Sequence, residues 1–447
     1  MRLFLSIFLI LAAATLSAQN LVRKYHDPEK KKLQEEYVVS NSDNETMIGK
    51  YTRYYESGQV MVEGNFEDGK KSGLFTEFHE NGTPARKFTY VNGLRHGSVI
   101  VYDEDGKPVQ KAYYQNDILT DSIQSYFDNG NIRGRTYFRH GKPDGVIKEY
   151  FSNGNVRKEI MYEKGKPNGI TRTFYEGGKV ETEGNYENGI LKGFYKTYYP
   201  NGQLQTVSTM EHGSKNGQYK SYDREGHLIL EGSFMEGKLH GANTGYFSTG
   251  AVQHRYTYEQ GKKSGTNFDY YPDGTVKLKE VVSRDLIDRQ QFSYDEKGKL
   301  ISEKSFQNET PSGEWTTYFE DGKTVRLKET YVAGKLNGVR YTYFPSGKIA
   351  REETMKANMI TGPVKVYNEA GILEISAEYR SNRRHGPYIG YHPNGKMSEQ
   401  GEYAADKKHK EWKEYDEQGN LKRTLIFRAG NLVETREEKN NASDQRN

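Results

Sequence analysis

Residues 198–207 read YYPNGQLQTV: the end of one strand, a turn built on Asn-Gly and the start of a returning strand. Close variants of it recur. YYESGQVMV starts at Tyr54, YFDNGNIRG at Tyr126, YFSNGNVRK at Tyr150, YYPDGTVKL at Tyr270 and YHPNGKMSE at Tyr391. Measured outward from Gly202, the turn glycine repeats every 24 residues from Gly58 to Gly322. After one extra residue it resumes at Gly347, Gly371, Gly395 and Gly419, giving sixteen copies. Tyr or Phe stands four residues before every one of these glycines. A fixed period of this length marks a stacked-repeat architecture.

Composition points the same way. Of 447 residues only 34% are hydrophobic, 36 of them Tyr, and the mean hydropathy is −0.95, too little apolar material for thick globular cores. Disordered chains are poor in aromatics, whereas here aromatics make up 13% at fixed spacing. The 65 Lys and Arg nearly balance 61 Asp and Glu, and the signs interleave. Nucleic-acid binding, which needs a strongly basic face, is therefore not expected.

Asn or Asp precedes the turn glycine in eight copies (Asn81, Asp105, Asn129, Asn153, Asn201, Asp273, Asp321, Asn394), which predicts type I′ turns. Aliphatic residues two after the glycine (Val60, Ile132, Val156, Leu204) and aromatics eight after it (Phe66, Tyr90, Tyr162, Tyr186) have even offsets, which predicts one shared strand face. A second connection of GKxxG type (Gly69 to Gly73, Gly165 to Gly169, Gly237 to Gly241) leads to the next hairpin. The connectors at 117–121, 285–289 and 406–410 lack both glycines and are expected to differ in shape.

The fold expected is all-β: an elongated antiparallel β-meander or solenoid of about sixteen 24-residue β-hairpin repeats, thirty-two strands extending on the order of 150 Å. The aromatics four before each turn are expected to form a ladder of mutually supporting rings.

With these residues in view, the chain resembles the MORN repeats, in particular the bacterial MORN-repeat-variant group that includes YwqK-type antitoxin proteins. The clearest match starts at Glu183, EGNYENGILKGFYKTYYPNG, with Gly184, Tyr186, Gly189, Gly193, Tyr198 and Gly202 at the family's positions. Tyr195 stands where a classical unit has a further Gly, and aromatics recur there as Phe75, Tyr219, Trp315, Tyr388 and Trp412. The resemblance implies a β-sheet scaffold. It also implies members used as membrane-contact modules, protein scaffolds or toxin-neutralising partners.

The first twenty residues, MRLFLSIFLILAAATLSAQN, have one basic residue, a short apolar run and small residues to Ala18, the pattern of a signal peptide. The expected organisation is a signal peptide at 1–18, with Ala14 an alternative cleavage site, a poorly ordered linker at 19–45, a repeat array at 46–433 and a disordered tail at 434–447. The protein is expected to be exported, to the periplasm, cell surface or medium. With no cysteine it has no disulfide and no lipid-modified N-terminal Cys.

Enzyme signatures dissolve on inspection. GNFEDGKKS at Gly64 resembles a phosphate loop, but Lys71 occupies the Ser/Thr position and no helix follows. His96, His240 and His385 precede connector glycines where other copies carry Asn168, Asn216 or Ser264, a turn position rather than a ligand set. No catalytic residue, metal or cofactor is expected, nor is an enzyme.

The residue three before each turn glycine points to the face opposite the residue before it. It is aromatic in nine copies: Tyr55, Phe127, Phe151, Tyr175, Tyr199, Phe247, Tyr271, Phe319 and Phe344. These rings either support their hairpins or form a partner-binding face. The expected function is a non-enzymatic exported scaffold binding a protein or cell-envelope component through that face. The alternatives are an antitoxin or immunity role, from the resemblance alone, and peripheral lipid contact through the basic stretches RSNRRH at 380–385 and KKHKEWK at 407–413. The oligomeric state is left open.

Overall fold

The computed structural model describes residues 20–438, and every regular element in them is a β-strand. The signal peptide expected at 1–18 lies outside the described residues, as does most of the tail. No helix among the described residues is long and apolar enough to cross a membrane. Forty strand segments are present, five of them two-residue pieces such as Leu94–Arg95 and Lys142–Pro143, each split from its continuation by one bulged residue. Counted with their continuations, thirty-two strands fill residues 47–428, two per copy as the period requires. Residues 20–45 depart from the poorly ordered linker expected of them. Asn20–Tyr25 and Leu33–Val39 pair with each other, and the second pairs with Met47–Tyr54. At the other end Asn431–Glu437 pairs with Leu421–Arg428, carrying strand four residues into the expected tail.

The chain divides into two units, one comprising Met1–Ser214 with Arg224–Gly226, the other Lys215–Asp223 with His227–Asn447. Within each, every strand pairs antiparallel with the next along the chain and none crosses over. In the first unit Gly169–Phe174 lies against Val180–Tyr186, and Thr182–Gly184 against Tyr195–Thr197. In the second, Gly386–Tyr391 lies against Met397–Tyr403, which in turn meets Lys407–Glu414.

The type I′ turn predicted at the Asn-Gly and Asp-Gly pairs is not found there. At Asn201-Gly202 only the glycine has positive φ, 92°. Gly202 N donates to Tyr199 O at 2.8 Å and Tyr199 N to Gln203 O at 2.8 Å, which makes a three-residue loop ending in a left-handed glycine. Pro200 fits its first position, where φ is negative. The paired positive φ of a type I′ turn falls instead at the connector, as in His212 (49°) and Gly213 (80°). Two of the connectors without glycine keep that shape, with Asn116 and Asp117 at 52° and 65° and Ala405 and Asp406 at 47° and 64°. There the aspartate reaches back one copy: Asp117 Oδ1 accepts from Arg95 N at 3.0 Å and Asp406 Oδ1 from Arg384 N at 2.9 Å. The third, at 283–288, is a longer loop in which only Leu286 has positive φ.

The three-residue loop carries a bulge that overturns the even-offset argument. Thr197 pairs with Thr206 but Tyr198 with Leu204, so Gln205 is the extra residue. Leu204 therefore shares a face with Tyr198, while Thr206, Ser208 and Met210 lie on the other. The core belongs to that other face. Its rings come from the position eight after the turn and the position two after the connector's second glycine, not from the aromatic four before the turn. Tyr37, Tyr51, Phe66, Phe75 and Tyr90 contact in sequence at 6.4, 5.5, 5.7 and 5.2 Å between centroids. In the second unit Trp412 meets Tyr388 at 5.4 Å, Tyr403 at 4.9 Å and Phe427 at 6.4 Å. Such edge and tilted pairs contribute about 0.5–1.5 kcal/mol each beyond area burial.

Phe75 and Trp412 are seated over glycine. A Cβ on Gly64 would stand 2.5 Å from the Phe75 ring, and one on Gly401 2.4 Å from Trp412. Phe75 and Trp412 are accordingly among the most buried side chains described. At one polar stretch of the ladder face ion pairs replace ring contacts: the buried Glu353 takes both Arg340 and Arg351. The aromatics four before the turn lie on the reverse face and bond individually. Tyr246 donates to Glu231 at 2.6 Å, Tyr318 to Glu303 at 3.1 Å and Tyr367 to Glu352 at 3.2 Å. They form no ladder among the ring contacts described.

Candidate functional site

In each unit the turn edge of the ladder face carries the singled-out aromatics, Tyr55, Phe127, Phe151, Tyr175 and Tyr199 in the first and Phe247, Tyr271, Phe319 and Phe344 in the second. Eight of them open a three-residue loop, and their backbone closes it: Phe127 N donates to Asn131 O and Phe127 O accepts from Gly130 N, both at 2.8 Å, and Phe151 N donates to Asn155 O at 2.8 Å while Phe151 O accepts from Gly154 N at 2.9 Å. Phe319 opens a loop one residue longer, donating to Thr324 O at 2.9 Å. This is the extra residue in the period, absorbed at the tip so that the strand still resumes with Tyr318 opposite Val325.

All nine side chains are half-buried. Three of the tyrosines reach forward to the next copy, Tyr55 OH donating to Phe78 O at 2.8 Å, Tyr175 to Tyr198 O at 2.7 Å and Tyr271 to Tyr294 O at 3.0 Å. His79 and His392 make the equivalent contact from the same position, to Tyr102 O and Tyr415 O at 3.2 and 3.0 Å. At these positions the side chain fastens successive turns. Asn side chains add to this edge: Asn129 and Asn201 Nδ2 donate to Ser152 O and Arg224 O, each at 2.9 Å.

Between successive rings the face is recessed. Phe127 and Phe151 wall a cleft of about 700 Å³ floored by Ile123, Ser125, Thr136 and Ile147. Phe151 and Tyr175 wall the next, about 490 Å³, with Thr173 and Glu181. In the second unit Phe247 and Tyr271 flank a cleft of about 450 Å³ with Asp269 and Lys277. The structure thus brings Phe127, Phe151 and Tyr175 into one row and Phe247 and Tyr271 into another. Tyr199 has the Arg224 guanidinium 6.0 Å from its ring, while Tyr55, Phe319 and Phe344 close the turns of their own copies.

The charged residues of these clefts escaped sequence reading because the bulge puts the residue three after the turn on the ladder face. Arg133 lies over the Phe127 ring at 5.1 Å, Lys277 over Tyr271 at 5.6 Å, and Arg157 pairs with Glu149. The available signal was the left-handed turn glycine itself, which in a three-residue hairpin loop entails a bulge. Aromatic walls, hydroxyls and an unneutralised guanidinium can hold an extended amphipathic ligand.

Of the connector histidines, His96 N donates to Thr89 O at 2.8 Å across its bulge and Ser233 Oγ bonds His240 O, so both serve the turn through their backbone. The Nδ1 atoms of His96 and His240 are buried without a hydrogen-bond partner. His254 stacks on Tyr256 at 4.4 Å, and its burial depresses its pKa.

Hairpins repeated at fixed period, with rings packed on one face and Tyr–Glu hydrogen bonds on the other, define a β-hairpin repeat protein. The repeats are of the MORN type: the model of the MORN repeat variant matches ten segments, 47–68, 71–92, 95–116, 143–164, 167–188, 193–212, 290–308, 336–357, 384–405 and 408–429. No curated protein sequence matches the chain. Solved structures similar to it include the Photorhabdus luminescens Tc holotoxin pore (12% identity, 90% of this chain and 24% of that one, TM-score 0.15). Others are the TcdB2-TccC3 structure without its hypervariable C-terminal region (12%, 92% and 30%, TM-score 0.15) and a eukaryotic initiation factor (10%, 90% and 95%, TM-score 0.13). The chain spans under a third of the length of those two toxin-complex chains, and at these scores the likeness supports no further argument.

Proposed function

We propose that the protein is a non-enzymatic exported scaffold that binds a protein or cell-envelope partner through the ladder face at its turn edge. The observation that carries this reading is the row of adjoining clefts walled by Phe127, Phe151 and Tyr175, with aromatic walls, hydroxyl and charged groups among the remaining lining and one cleft between each two successive rings. Strands and turns are complete without Phe127 and Phe151, whose rings make no hydrogen bond, so large rings kept half-exposed there favour recognition over packing alone. Export rests on the apolar run and small residues of 1–18.

The test compares the mature protein with a Phe127→Ser/Phe151→Ser variant, each immobilised and exposed to the same envelope extract. The reading expects a retained component that the variant loses while its circular dichroism and melting temperature are unchanged. Equal retention by both proteins refutes this face as the binding face. Flotation with anionic liposomes at low salt separates out the lipid alternative, since that attraction is electrostatic.

A further inference from the structure

We infer that the row walled by Phe127, Phe151 and Tyr175 takes an extended β-1,4-linked glycan bearing a carboxylate on every second sugar, one disaccharide per repeat. This rests on the reading above and names its ligand.

The first argument is spacing. Successive rings belong to copies 24 residues apart, two strands each, so they step by about 10 Å along the sheet. A β-1,4-linked pyranose chain is a ribbon whose alternate sugars present the same face at nearly that step, so each ring of the row can meet every second sugar. α-Linked chains coil and lose the register.

The second argument is the chemistry of the lining. A pyranose has an apolar face of axial C–H groups and an equatorial rim of hydroxyls, and the clefts offer rings as walls with Ser125, Thr136 and Thr173 below them. An extended peptide fits the site less well. The cleft lies on the face of a sheet whose backbone groups are already paired with neighbouring strands, so a peptide would find no ladder partners for its own N–H and C=O groups.

Charge supplies the third argument. Arg133 and Arg157 occupy the same position of consecutive copies, line the same cleft and so repeat at the step of the glycan itself. Arg157 is shared with Glu149, whereas Arg133 has no carboxylate partner among the described residues and lies over the Phe127 ring. A carboxylate on alternate sugars places one anion beside each guanidinium, with bidentate geometry available.

The experiment is calorimetric titration of the full mature protein with two probes: a hexasaccharide of alternating N-acetylglucosamine and N-acetylmuramic acid, and chitohexaose, its neutral β-1,4 counterpart. The acidic probe is expected to bind at least tenfold more tightly. Phe151→Ala should weaken both probes about tenfold or more, Phe151→Tyr should restore binding, and Arg133→Gln should erase most of the difference between the probes. If neither probe binds, if both bind equally to the unmodified protein, or if Arg133→Gln leaves the preference intact, the glycan assignment is overturned. Should Phe151→Ala disturb folding, Arg133→Gln alone decides, since its side chain sits at the cleft rim. A protein partner lost by Phe127→Ser/Phe151→Ser, together with no binding of either glycan, sinks this inference and leaves the scaffold reading standing.

Discussion

Replacing Gly401 by Ala tests whether the ladder is built by seating rings on glycine. A methyl there would sit 2.4 Å from Trp412 ring carbons, where carbon contacts settle at about 3.5–4.0 Å, so the ring must retreat by about 1 Å or more. It has little room to do so. Trp412 has no exposed surface, is boxed by Tyr388, Tyr403 and Phe427, carries Lys408 Nζ 3.8 Å from its ring, and donates from Nε1 to Glu402 O at 3.1 Å. Overpacking of this kind costs about 1–3 kcal/mol. The lower backbone entropy of Ala offsets roughly 0.5–1 kcal/mol of that, and with the boxed ring placing the cost near the upper end of its range, about 2–2.5 kcal/mol of net loss remains. The chain has two tryptophans, so in a Trp315→Phe background the fluorescence of Trp412 reports this locality alone. That local report matters because long repeat arrays need not unfold as one cooperative unit. Urea unfolding followed at Trp412 should shift to lower denaturant, with redder native emission. Gly134→Ala is the control: its Cβ would meet nothing closer than Ser125 Oγ at 3.4 Å, so calorimetry should find it neutral or slightly stabilising. Equal effects at the two glycines, or unchanged emission in Gly401→Ala, would refute the seating argument.

Other perturbations probe the remaining contacts. Glu353→Gln removes the charge that Arg340 and Arg351 share; with the carboxylate buried but both arginines about a third exposed, the loss should be about 2 kcal/mol, below that of a fully buried pair, in urea unfolding. Tyr271→Phe deletes the hydroxyl that fastens its turn to the carbonyl of Tyr294, and amide exchange around 271–275 should quicken by a factor matching about 1 kcal/mol while the ring still walls its cleft. Burial first, then the bond to Glu303, pushes Tyr318 up to about 12, and burial chiefly does the same for Tyr388. Their folded pKa values lie above the unfolded value near 10, so the stability they carry is complete below about pH 10 and is lost as pH rises through 12. Tyrosinate absorbance should therefore show a late-titrating fraction that merges with the main wave once the protein is unfolded by urea.

The repeat period and the strand count are legible because side-chain periodicity and turn glycines are local properties, and local rules dictate them. Which face each side chain takes was not legible, for a reason visible at Gln205. A single bulged residue reverses the parity of everything beyond it, and parity was the whole basis for grouping Leu204 with the ring at the eighth position. The same bulge hid Arg133 and Arg157, which simple alternation places away from the clefts. The aromatic four before the turn is the most regular residue in the sequence, and that regularity points the ladder to the wrong position. Regularity there reflects individual hydroxyl bonds such as Tyr246 to Glu231, whereas the rings that do pack, Phe75 and Trp412, stand at positions occupied elsewhere by Asn243, Asn267 or Val364. Residues 33–39 lie outside the period and LQEEYVV does not alternate, so nothing local marks the strand in which Tyr37 and Val39 are buried.

The loop opened by Phe319 holds one residue more than its counterparts, and the surplus goes no further than the tip. Length is therefore negotiable at this tip without disturbing the strands on either side of it. A residue added within a strand would exchange inside for outside in all that follows it, but a residue added beside Lys323 changes only the contour of a single bend. A short tag or fluorescent probe introduced there would ride on the rim and leave the stacked rings undisturbed.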